Sequence, residues 1–528
     1  RIITMSAKTR YDVLSSDRAQ FLNEAEQASK LTLPYLIRGH EEHVSGMKNL
    51  LTPHQSVGAK GVVTLASKLM LALLPVQTSF FKLQLDESQL GQEMGPEIKS
   101  ELDLSFAKVE RIILESIAAT DDRVAVHQAL LHLVVGGNAL VFMGRKGLKV
   151  YPLNRFVVDR DGNGNVIEIV TKERINKKLV EDKLPENYLK DRMVSDNYGD
   201  HDDECDVYTH VKRENNRFVW HQEVYDHVLK GSQGKAPEGT NPWIPLRFNT
   251  VDGENYGRGR VGQFIGDLKS LEALTQALVE GSAAAAKVVF VVNPSSTTKP
   301  ATLANAGNGA IIQGRPDDVG VIQVGKTADF RTAYEMTSVL ERRLSEAFLI
   351  LNVRNSERTT AEEVRMTQME LEQQLGGLFS LLTVEFLVPY LNRKLDMAQK
   401  SGDIPRLPKN IVKPTIVAGI NALGRGQDRD SLTQFLTVLA NTLGPEAIAQ
   451  FINTDEVIKR FAASQGIDVL NLVKSMQELQ AEQQQAMQQQ QMMMAQQQAP
   501  QMAAVDQKAA EAEMQAMQQA QQQEQPPQ

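Results

Sequence analysis

The strongest constraint on how this chain folds is the order helix, β-rich insert, helix, loop, helix over residues 256–394. Apolar residues recur every three or four positions over 260–287 and 328–351, which predicts two long amphipathic helices. Between them, three apolar runs separated by prolines predict short strands, at 288–293, 310–313 and 319–324. Each helix has an apolar stripe too narrow to bury much area within one chain. Further copies packed alongside would cover it, and head-to-tail contacts of that kind can close into a ring.

A polar loop and a third helix follow the second long helix. The loop, residues 352–358, reads Asn-Val-Arg-Asn-Ser-Glu-Arg and has no apolar period. Residues 360–363 read Thr-Ala-Glu-Glu, a capping box that predicts a helix start. Pro389 lies inside the periodic run that follows, so we expect a kink there. Gly402, with prolines beyond it, predicts the end of this helix.

The regions on either side of this stretch differ in character. Before it, the periodicity predicts helices at 17–36, 62–74, 96–118 and 122–135, then strands at 139–143, 148–152, 156–159, 166–171, 207–212, 218–225 and 244–249. This α+β portion of about 250 residues is large enough for one or two domains. After it come a returning strand at 411–418, a helical group at 430–473 and a Gln-rich segment from 477. Met5 is expected to be the natural initiator, with residues 1–4 as an upstream extension.

Composition limits the classes of function. The 528 residues include 57 basic and 65 acidic side chains, for a net charge of −8. Six acidic residues and one lysine lie from 477 onward, so the body is close to neutral and no strongly basic nucleic-acid-binding domain is predicted. Cys205 is the only cysteine, which excludes an internal disulfide and fits a reducing compartment. The most apolar run, residues 62–76, is interrupted by Lys68 and is too short to cross a bilayer of about 30 Å.

Residues 320–327 match the phosphate-loop pattern, reading Gly-Val-Ile-Gln-Val-Gly-Lys-Thr. In a nucleotide site, backbone amides would surround the phosphates, Lys326 would reach the outer ones and Thr327 would hold magnesium. However, the interior Val-Ile-Gln-Val is a β-type run, whereas a phosphate loop needs a curled run of small residues. A nucleotide-binding protein is therefore the alternative function.

Residues 257–262 match the dinucleotide fingerprint, reading Gly-Arg-Gly-Arg-Val-Gly. The helix that follows is too long for such a site, and the next strand ends in Asn293 rather than in an acidic residue. The simpler interpretation is a flexible hinge before a helix, and its two arginines could contact backbone phosphates.

Other groupings of reactive residue types are weak. His40-Glu-Glu-His43 lacks the spacing of a zinc-protease helix. Asp200-His-Asp-Asp-Glu-Cys205 lies in a charged insert, for which a solvated surface loop is the simpler interpretation. No G-x-S-x-G is present, and Ser, His and Asp do not fall at the spacing of a nucleophilic triad. The sequence therefore predicts no catalytic residue, no metal site and no cofactor.

At several separated stretches, in the same order, the sequence resembles the portal (head-to-tail connector) proteins of short-tailed, podovirus-type bacteriophages. These stretches are Val57-Gly-Ala-Lys-Gly61, Leu65-Ala-Ser-Lys-Leu-Met-Leu-Ala-Leu73, Val251-Asp-Gly-Glu-Asn-Tyr-Gly257, Thr360-Ala-Glu-Glu-Val364 and Gly424-Arg-Gly-Gln-Asp428. The resemblance runs from about residue 11 to residue 473, and the tail corresponds to the family only in position. A monomeric helical scaffold with a Gln-rich interaction tail is the competing interpretation.

The resemblance implies an α+β portal-type fold assembled as a ring. Residues 1–258 would form an N-terminal α/β wing, 259–287 and 327–351 a two-helix stem, and 288–326 a small β-containing clip between the stem helices. Residues 352–358 would form a tunnel loop, and 359–423 a wing helix and strand. A helical crown at 424–473 and a C-terminal helical barrel with a flexible tail at 474–528 would complete the chain.

The resemblance also implies the partners and the location. About twelve copies would form a homo-oligomeric ring at one capsid vertex of the virion, after assembly in the host cytoplasm. Double-stranded DNA would pass through the channel without sequence specificity, during packaging and ejection. Further partners would be the terminase large subunit, a tail adaptor protein, capsid and scaffolding proteins and internal core proteins, with no membrane. The portal itself would not be an enzyme, because the motor's ATPase belongs to the terminase.

A conduit must hold DNA weakly everywhere, because each neutralised phosphate strengthens binding. A near-neutral body with a few inward cations fits that requirement. The candidates in the DNA channel are the tunnel-loop residues Asn352, Arg354, Asn355 and Arg358 and the stem residues Arg342, Arg343 and Lys269. The alternative for the stem residues is ion pairing between subunits, with Glu341, Glu346 and Glu272.

Overall fold

The computed structural model describes most of residues 5–416 and a few short pieces beyond. The described ranges are 5–38, 51–75, 80–85, 96–185, 204–285, 289–307, 309–322, 327–350, 369–370, 373–375, 377–406, 412–416, 433, 435–439, 441–442, 457, 487–489 and 508–517. The chain divides into two compact units, Arg1–Gly424 and Arg425–Gln528. In the second unit, residues 435–439 and 508–517 are helical.

The first unit alternates helices with strands. Its helices are α1 (Ala7–Lys30), α2 (Val57–Leu73), α3 (Pro96–Ala118), α4 (Asp122–Gly136), α5 (Arg260–Gln263), α6 (Ile265–Ala285), α7 (Pro300–Ala304), α8 (Thr327–Ala347), α9 (Leu378–Leu382) and α10 (Val388–Ser401). A π-helical turn, Thr383–Leu387, joins α9 to α10. Among the described residues, no helix combines the length and the apolar character needed to cross a membrane.

The strands pair in antiparallel fashion throughout the described residues. They are β1 (Phe81–Leu85), β2 (Asn138–Gly144), β3 (Gly147–Tyr151), β4 (Phe156–Arg160), β5 (Val166–Asn176), β6 (Glu204–Glu214), β7 (Arg217–Val224), β8 (His227–Val228), β9 (Gly234–Pro237), β10 (Trp243–Arg247), β11 (Val289–Val292), β12 (Val319–Ile322) and β13 (Val412–Ile416). The sheets are β1-β13, β10-β2-β3, β11-β12, and β4-β5-β6-β7-β8 with β9 on β7. Mixed α and β structure is confirmed, and so is the returning strand, because β13 pairs with β1.

The main core lies where α1, α2, α4 and the three-stranded sheet meet. Leu65 and Leu69 of α2, Leu133 of α4 and Val141 of β2 have no solvent exposure. α1 also covers one face of the six-stranded sheet, where Arg10 bonds Glu168 at 2.7 Å. Burial raises the pKa of the Glu168 carboxyl, but bonds from His210 and Arg10 outweigh burial and leave it below its usual value. These contacts fix the N-terminal helix to the sheet.

α1 and α2 begin earlier than the periodicity predicts. Helices were expected at 17–36 and 62–74, whereas α1 begins at Ala7 and ends at Lys30, and α2 begins at Val57. The Ser6 hydroxyl accepts a bond from the Thr9 amide and caps α1, a start signal outside the apolar stripe. Gly58 is the second residue of α2, and a glycine is needed there because a Cβ would come within 2.8 Å of the Leu31 carbonyl oxygen.

The long helices on either side of the insert also differ from prediction. The helix expected over 260–287 is interrupted at Phe264, whose ring lies 6.1 Å from that of Phe348. The helix expected over 328–351 ends at Ala347. Residues 310–313 form no strand, and Ile311 there is fully exposed. Tertiary contacts of Phe264 and Phe348, which periodicity does not encode, decide the first two points.

A π-helical turn lies where a proline kink was expected. Pro389 occupies the first turn of α10, where its missing N–H is tolerated. The irregularity lies before it, and Glu385 inside the π turn accepts bonds from the Arg247 amide at 3.1 Å and the Arg247 guanidinium at 2.6 Å. The helix ends at Gly402, as predicted, with a positive φ of 86°. The capping box at 360–363 lies outside the described residues.

Candidate nucleic-acid interface

The helices α6 and α8 form an antiparallel pair. At one end, the Phe330 ring of α8 lies so close to Gly281 of α6 that a Cβ on this glycine would be 2.5 Å from it. At the other end, Phe348 lies against Phe264 and against α2. Leu268 and Leu271 of α6 and Leu344 of α8 are buried in the seam. The pair is therefore closely packed at both ends, and β11 and β12 join the two helices at the Gly281 end.

Both flanks of α8 expose apolar side chains in the single chain. Tyr334 is 67% exposed, and Met336 and Val339 are also exposed. At 100° per residue, Tyr334 lies about 200° from Met336 around the helix axis, so the two belong to opposite flanks. Large apolar groups on two different flanks are typical of a chain that contacts one neighbour on each side.

The structure separates the predicted stem cations. Arg342 and Arg343 are exposed on α8. Arg342 lies about 160° around the helix from the seam and shares that outer face with Arg331 and Glu335, which form an ion pair at 3.2 Å. Lys269 lies on the outer side of α6, and its ammonium donates to the Gln27 amide oxygen of α1 at 3.2 Å. Lys269 therefore contacts α1, whereas Arg342 lies on the side of α8 away from the seam.

The predicted acidic partners fall into two groups. Glu272 accepts bonds within the chain, from the His54 amide and ring at 2.9 and 2.8 Å and from the Gln55 amide at 3.2 Å. Burial raises the pKa of Glu272, yet these bonds outweigh burial and lower it. Glu341 and Glu346 are exposed on α8. The tunnel-loop candidates Asn352, Arg354, Asn355 and Arg358 lie outside the described residues.

The fingerprint at 257–262 is a crossing of two backbones. A Cβ on Gly137 would lie 2.5 Å from the Gly259 amide nitrogen, and a Cβ on Gly259 would lie 2.5 Å from the Val135 carbonyl oxygen. The Asn138 amide bonds the Gly257 nitrogen and carbonyl, both at 2.7 Å. Gly257 and Gly259 serve close packing between α4 and the start of α5, so this segment is neither a dinucleotide loop nor a hinge.

Both arginines of this segment have partners within the chain. Arg258 pairs with Glu254 at 2.6 Å and with Glu24 at 3.6 Å. Arg260 donates to the Ala347 carbonyl at the end of α8. Both arginines are therefore already bonded within the chain, and their contact with backbone phosphates stays a prediction.

The phosphate-loop alternative is not supported. Gly320, Val321 and Ile322 belong to β12 and pair with β11, Gly320 opposite Val291. An extended strand directs its amides into the ladder and cannot surround a phosphate. Lys326 lies outside the described residues, and Thr327 begins α8.

The Asp200–Cys205 grouping is divided. Residues 200–203 and the His40–His43 stretch lie outside the described residues. Glu204 and Cys205 begin β6, and Cys205 is buried against a small core with Val180 and Leu184, so a solvated loop is wrong for this cysteine. Burial raises the pKa of its thiol to about 11. Within the described residues, no group of three or more His, Cys, Asp or Glu side chains is arranged to hold a metal ion.

Comparisons with known proteins agree with the resemblance. The family model described as bacteriophage head to tail connecting protein matches residues 4–472. The chain is 38% identical to the portal protein of Enterobacteria phage T3 and 36% identical to that of Escherichia phage T7, each over 90% of this chain and 89% of the relative.

Among solved structures, the neck of an empty gene transfer agent particle matches 79% of this chain and 91% of its own, at 12% identity. Its TM-score of 0.38 is too low to support a conclusion about this chain. The family match and the two portal relatives cover most of the sequence. This chain therefore belongs to the bacteriophage head-to-tail connecting protein family, the portal proteins of short-tailed phages.

Proposed function

We propose that about twelve copies of this connector form a ring at one capsid vertex and that double-stranded DNA passes through its centre. The observation that carries the ring is the exposure of apolar side chains on both flanks of α8, Tyr334 on one and Met336 on the other. A head-to-tail ring uses two different surfaces of each copy, and it would bury both flanks. A single chain leaves them in water.

The β11–β12 ribbon is the proposed clip. It has two strands and exposes Phe290 and Val291. Two strands alone are marginally stable in water, so such a ribbon favours docking against other chains. We assign it to the terminase large subunit during packaging and to a tail adaptor protein afterwards. Capsid, scaffolding and internal core proteins are proposed to contact other parts of the ring, which would assemble in the host cytoplasm.

The proposed channel lining comprises Arg354 and Arg358, with their neighbours Asn352 and Asn355, and the stem cations Arg342, Arg343 and Lys269. Arg342 shares its face with an Arg331–Glu335 pair, so charges of both signs alternate there. Few net positive charges keep the affinity for phosphates low, which favours sliding over binding at any one position. We further propose that the connector hydrolyses no nucleotide and leaves that step to the terminase.

Mass and images of the purified full-length protein test the ring. Multi-angle light scattering should give a mass about twelve times that of one chain, and negative-stain images should show an annulus with an axial hole. A single-copy globule without a hole, at every concentration and salt tested, would refute the ring and favour the scaffold interpretation.

The channel lining is tested by replacing both loop arginines. Arg354→Ala with Arg358→Ala should reduce the DNA retained in heads about tenfold or more while rings still assemble, because two phosphate contacts per subunit are lost. The charge-matched control is Lys146→Ala with Lys178→Ala, two exposed cations of the proposed wing. Wild-type packaging yield and retention in the arginine variant would contradict the assignment of the loop to the channel.

A further inference from the structure

Lys68 is the only charged side chain in the apolar run from 62 to 76. It lies on α2, and its side chain is only 12% exposed. Its ammonium donates to the Leu349 carbonyl oxygen at 2.9 Å and lies 3.4 Å from a Glu370 carboxylate oxygen. One largely buried lysine therefore contacts both described flanks of residues 351–368.

The Leu349 end of this contact is strained. Leu349 has a φ of 57°, in the left-handed region that a leucine rarely adopts. Such a residue keeps this conformation only when its surroundings enforce it. Here Phe348 packs so closely on α2 that a Cβ on Gly61 would lie 2.6 Å from its ring. One side of α2 therefore fixes both Phe348 and the carbonyl that follows it.

Charge explains why the lysine is needed at this place. Carbonyl groups at a helix C-terminus carry partial negative charge and favour a nearby cation. The last turn of α8 has no basic residue of its own and contains Glu346 instead. The cations come from elsewhere in the chain: Arg260 donates to the Ala347 carbonyl at 3.2 Å, and Lys68 lies just beyond the helix end, on the Leu349 carbonyl.

We propose that Lys68 is a positioning residue that holds Leu349 and Glu370 together at one point on α2 and so sets the spacing between the two flanks of the segment carrying Arg354 and Arg358. The consequence for DNA rests on the proposed channel function, whereas the spacing itself does not. Lys68 contacts no DNA in this scheme and acts through the ends of the segment.

Distances between spin labels test the spacing directly. Labels are placed on Glu346→Cys and Met369→Cys, both exposed positions next to the contacts, in full-length protein diluted with unlabelled chain. The native Cys205 is buried. Lys68→Met should broaden the distance distribution about twofold, because the flanks lose their common anchor. Lys68→Arg should retain the narrow distribution, since it keeps the donor and the charge.

Two controls separate positioning from general stability. Lys60→Met removes an exposed lysine of the same helix and should leave the distances unchanged. Val211→Ala opens a cavity in the six-stranded sheet and should lower the melting temperature without broadening the distances. A Lys68→Met distribution that superimposes on the wild type, or equal broadening in Val211→Ala, would overturn the proposal.

DNA retention in heads carrying Lys68→Met separates the spacing role of Lys68 from its proposed consequence for DNA. Reduced retention together with broadened distances supports the spacing role and its consequence for the channel. Broadened distances with wild-type retention support the spacing role and count against the assignment of residues 352–358 to the DNA channel.

Discussion

Alanine in place of Gly137 should leave little folded protein. Gly137 has a φ of 76°, and a Cβ there would lie 2.5 Å from the Arg258 carbonyl carbon and from the Gly259 nitrogen. The left-handed conformation alone costs a non-glycine residue about 1–2 kcal/mol. The clash adds to this because its partners are backbone atoms of a second segment, which Asn138 holds with two bonds. We expect a total loss of about 3–5 kcal/mol, at the upper end for single substitutions.

Other glycines of this chain separate the two causes. Gly231 has a φ of 73° and open space around it, so Gly231→Ala should show the backbone strain alone, about 1–2 kcal/mol. Gly162 has open space and no positive φ, so Gly162→Ala should be close to neutral. Gly259→Ala should show the clash without the strain. Soluble yield and urea midpoints at one protein concentration measure the series. Equal losses of stability in Gly137→Ala and Gly231→Ala would show that the two backbone segments move apart and that the clash costs nothing.

Periodicity predicted most of the elements. Residues at helical spacing gave α3 and α4 almost to the residue, and alternating runs gave the strands of the two larger sheets except β8 and β9. The turn at Asp161 is local as well, because its carboxylate accepts the amides of Asn163 and Asn165. These features depend on residues that are close together in the sequence, so the sequence alone predicts them.

The features that periodicity missed depend on residues far apart in the chain. The break at Phe264 and the early end of α8 depend on contacts among Phe264, Phe348 and α2. The glycine pattern at 257–262 matched the dinucleotide fingerprint, yet Gly257 and Gly259 are required because a second backbone segment, at Gly137, passes close to them. A glycine required by a close approach looks the same in a sequence as one required by a ligand.

At the candidate interface, too, the sequence predicted local features and missed the partners that lie far away in the chain. Arg342 and Arg343 are exposed on α8, whereas the predicted alternative for the stem cations paired them with acidic residues that included Glu272, across subunits. In the structure the Glu272 carboxylate accepts hydrogen bonds from His54 and Gln55, which lie more than two hundred residues earlier in the chain. Lys68 did carry a signal, because a lone charge inside an apolar run needs a buried partner. The sequence could not say which partner.

Helix α4 is held at both ends by contacts of this long-range kind. Its C-terminal end takes part in the glycine crossing at Gly137, which fixes the start of the α6–α8 pair. Its N-terminal end carries the fully buried Asp122, which pairs with Lys394 of α10. α10 follows the α6–α8 pair in the sequence, whereas α4 precedes it. Both ends must hold for the helix pair to keep its place on the core.

Lys394→Met should therefore destabilise the chain by about 3–5 kcal/mol, because it leaves the Asp122 charge buried without its cation. The Lys394 ammonium lies 2.6 Å from Asp122 Oδ2, and Tyr390 donates to the same oxygen at 2.7 Å. The matched control is Lys400→Met on the same helix. Lys400 also lies 2.6 Å from a carboxylate, that of Asp396, but its side chain is 68% exposed. Water screens that pair, so its loss should cost about 0–0.5 kcal/mol.

Removing the buried charge as well should recover most of the loss. In Asp122→Asn with Lys394→Met no buried charge is left unpaired, and a buried pair replaced as a whole is often close to neutral. The amide oxygen of the introduced asparagine can still accept the Tyr390 hydroxyl. Urea midpoints of the two single lysine variants and the double variant decide the matter. Equal losses for Lys394→Met and Lys400→Met would mean that burial adds nothing to this pair, and that α10 is held to α4 by its apolar residues alone.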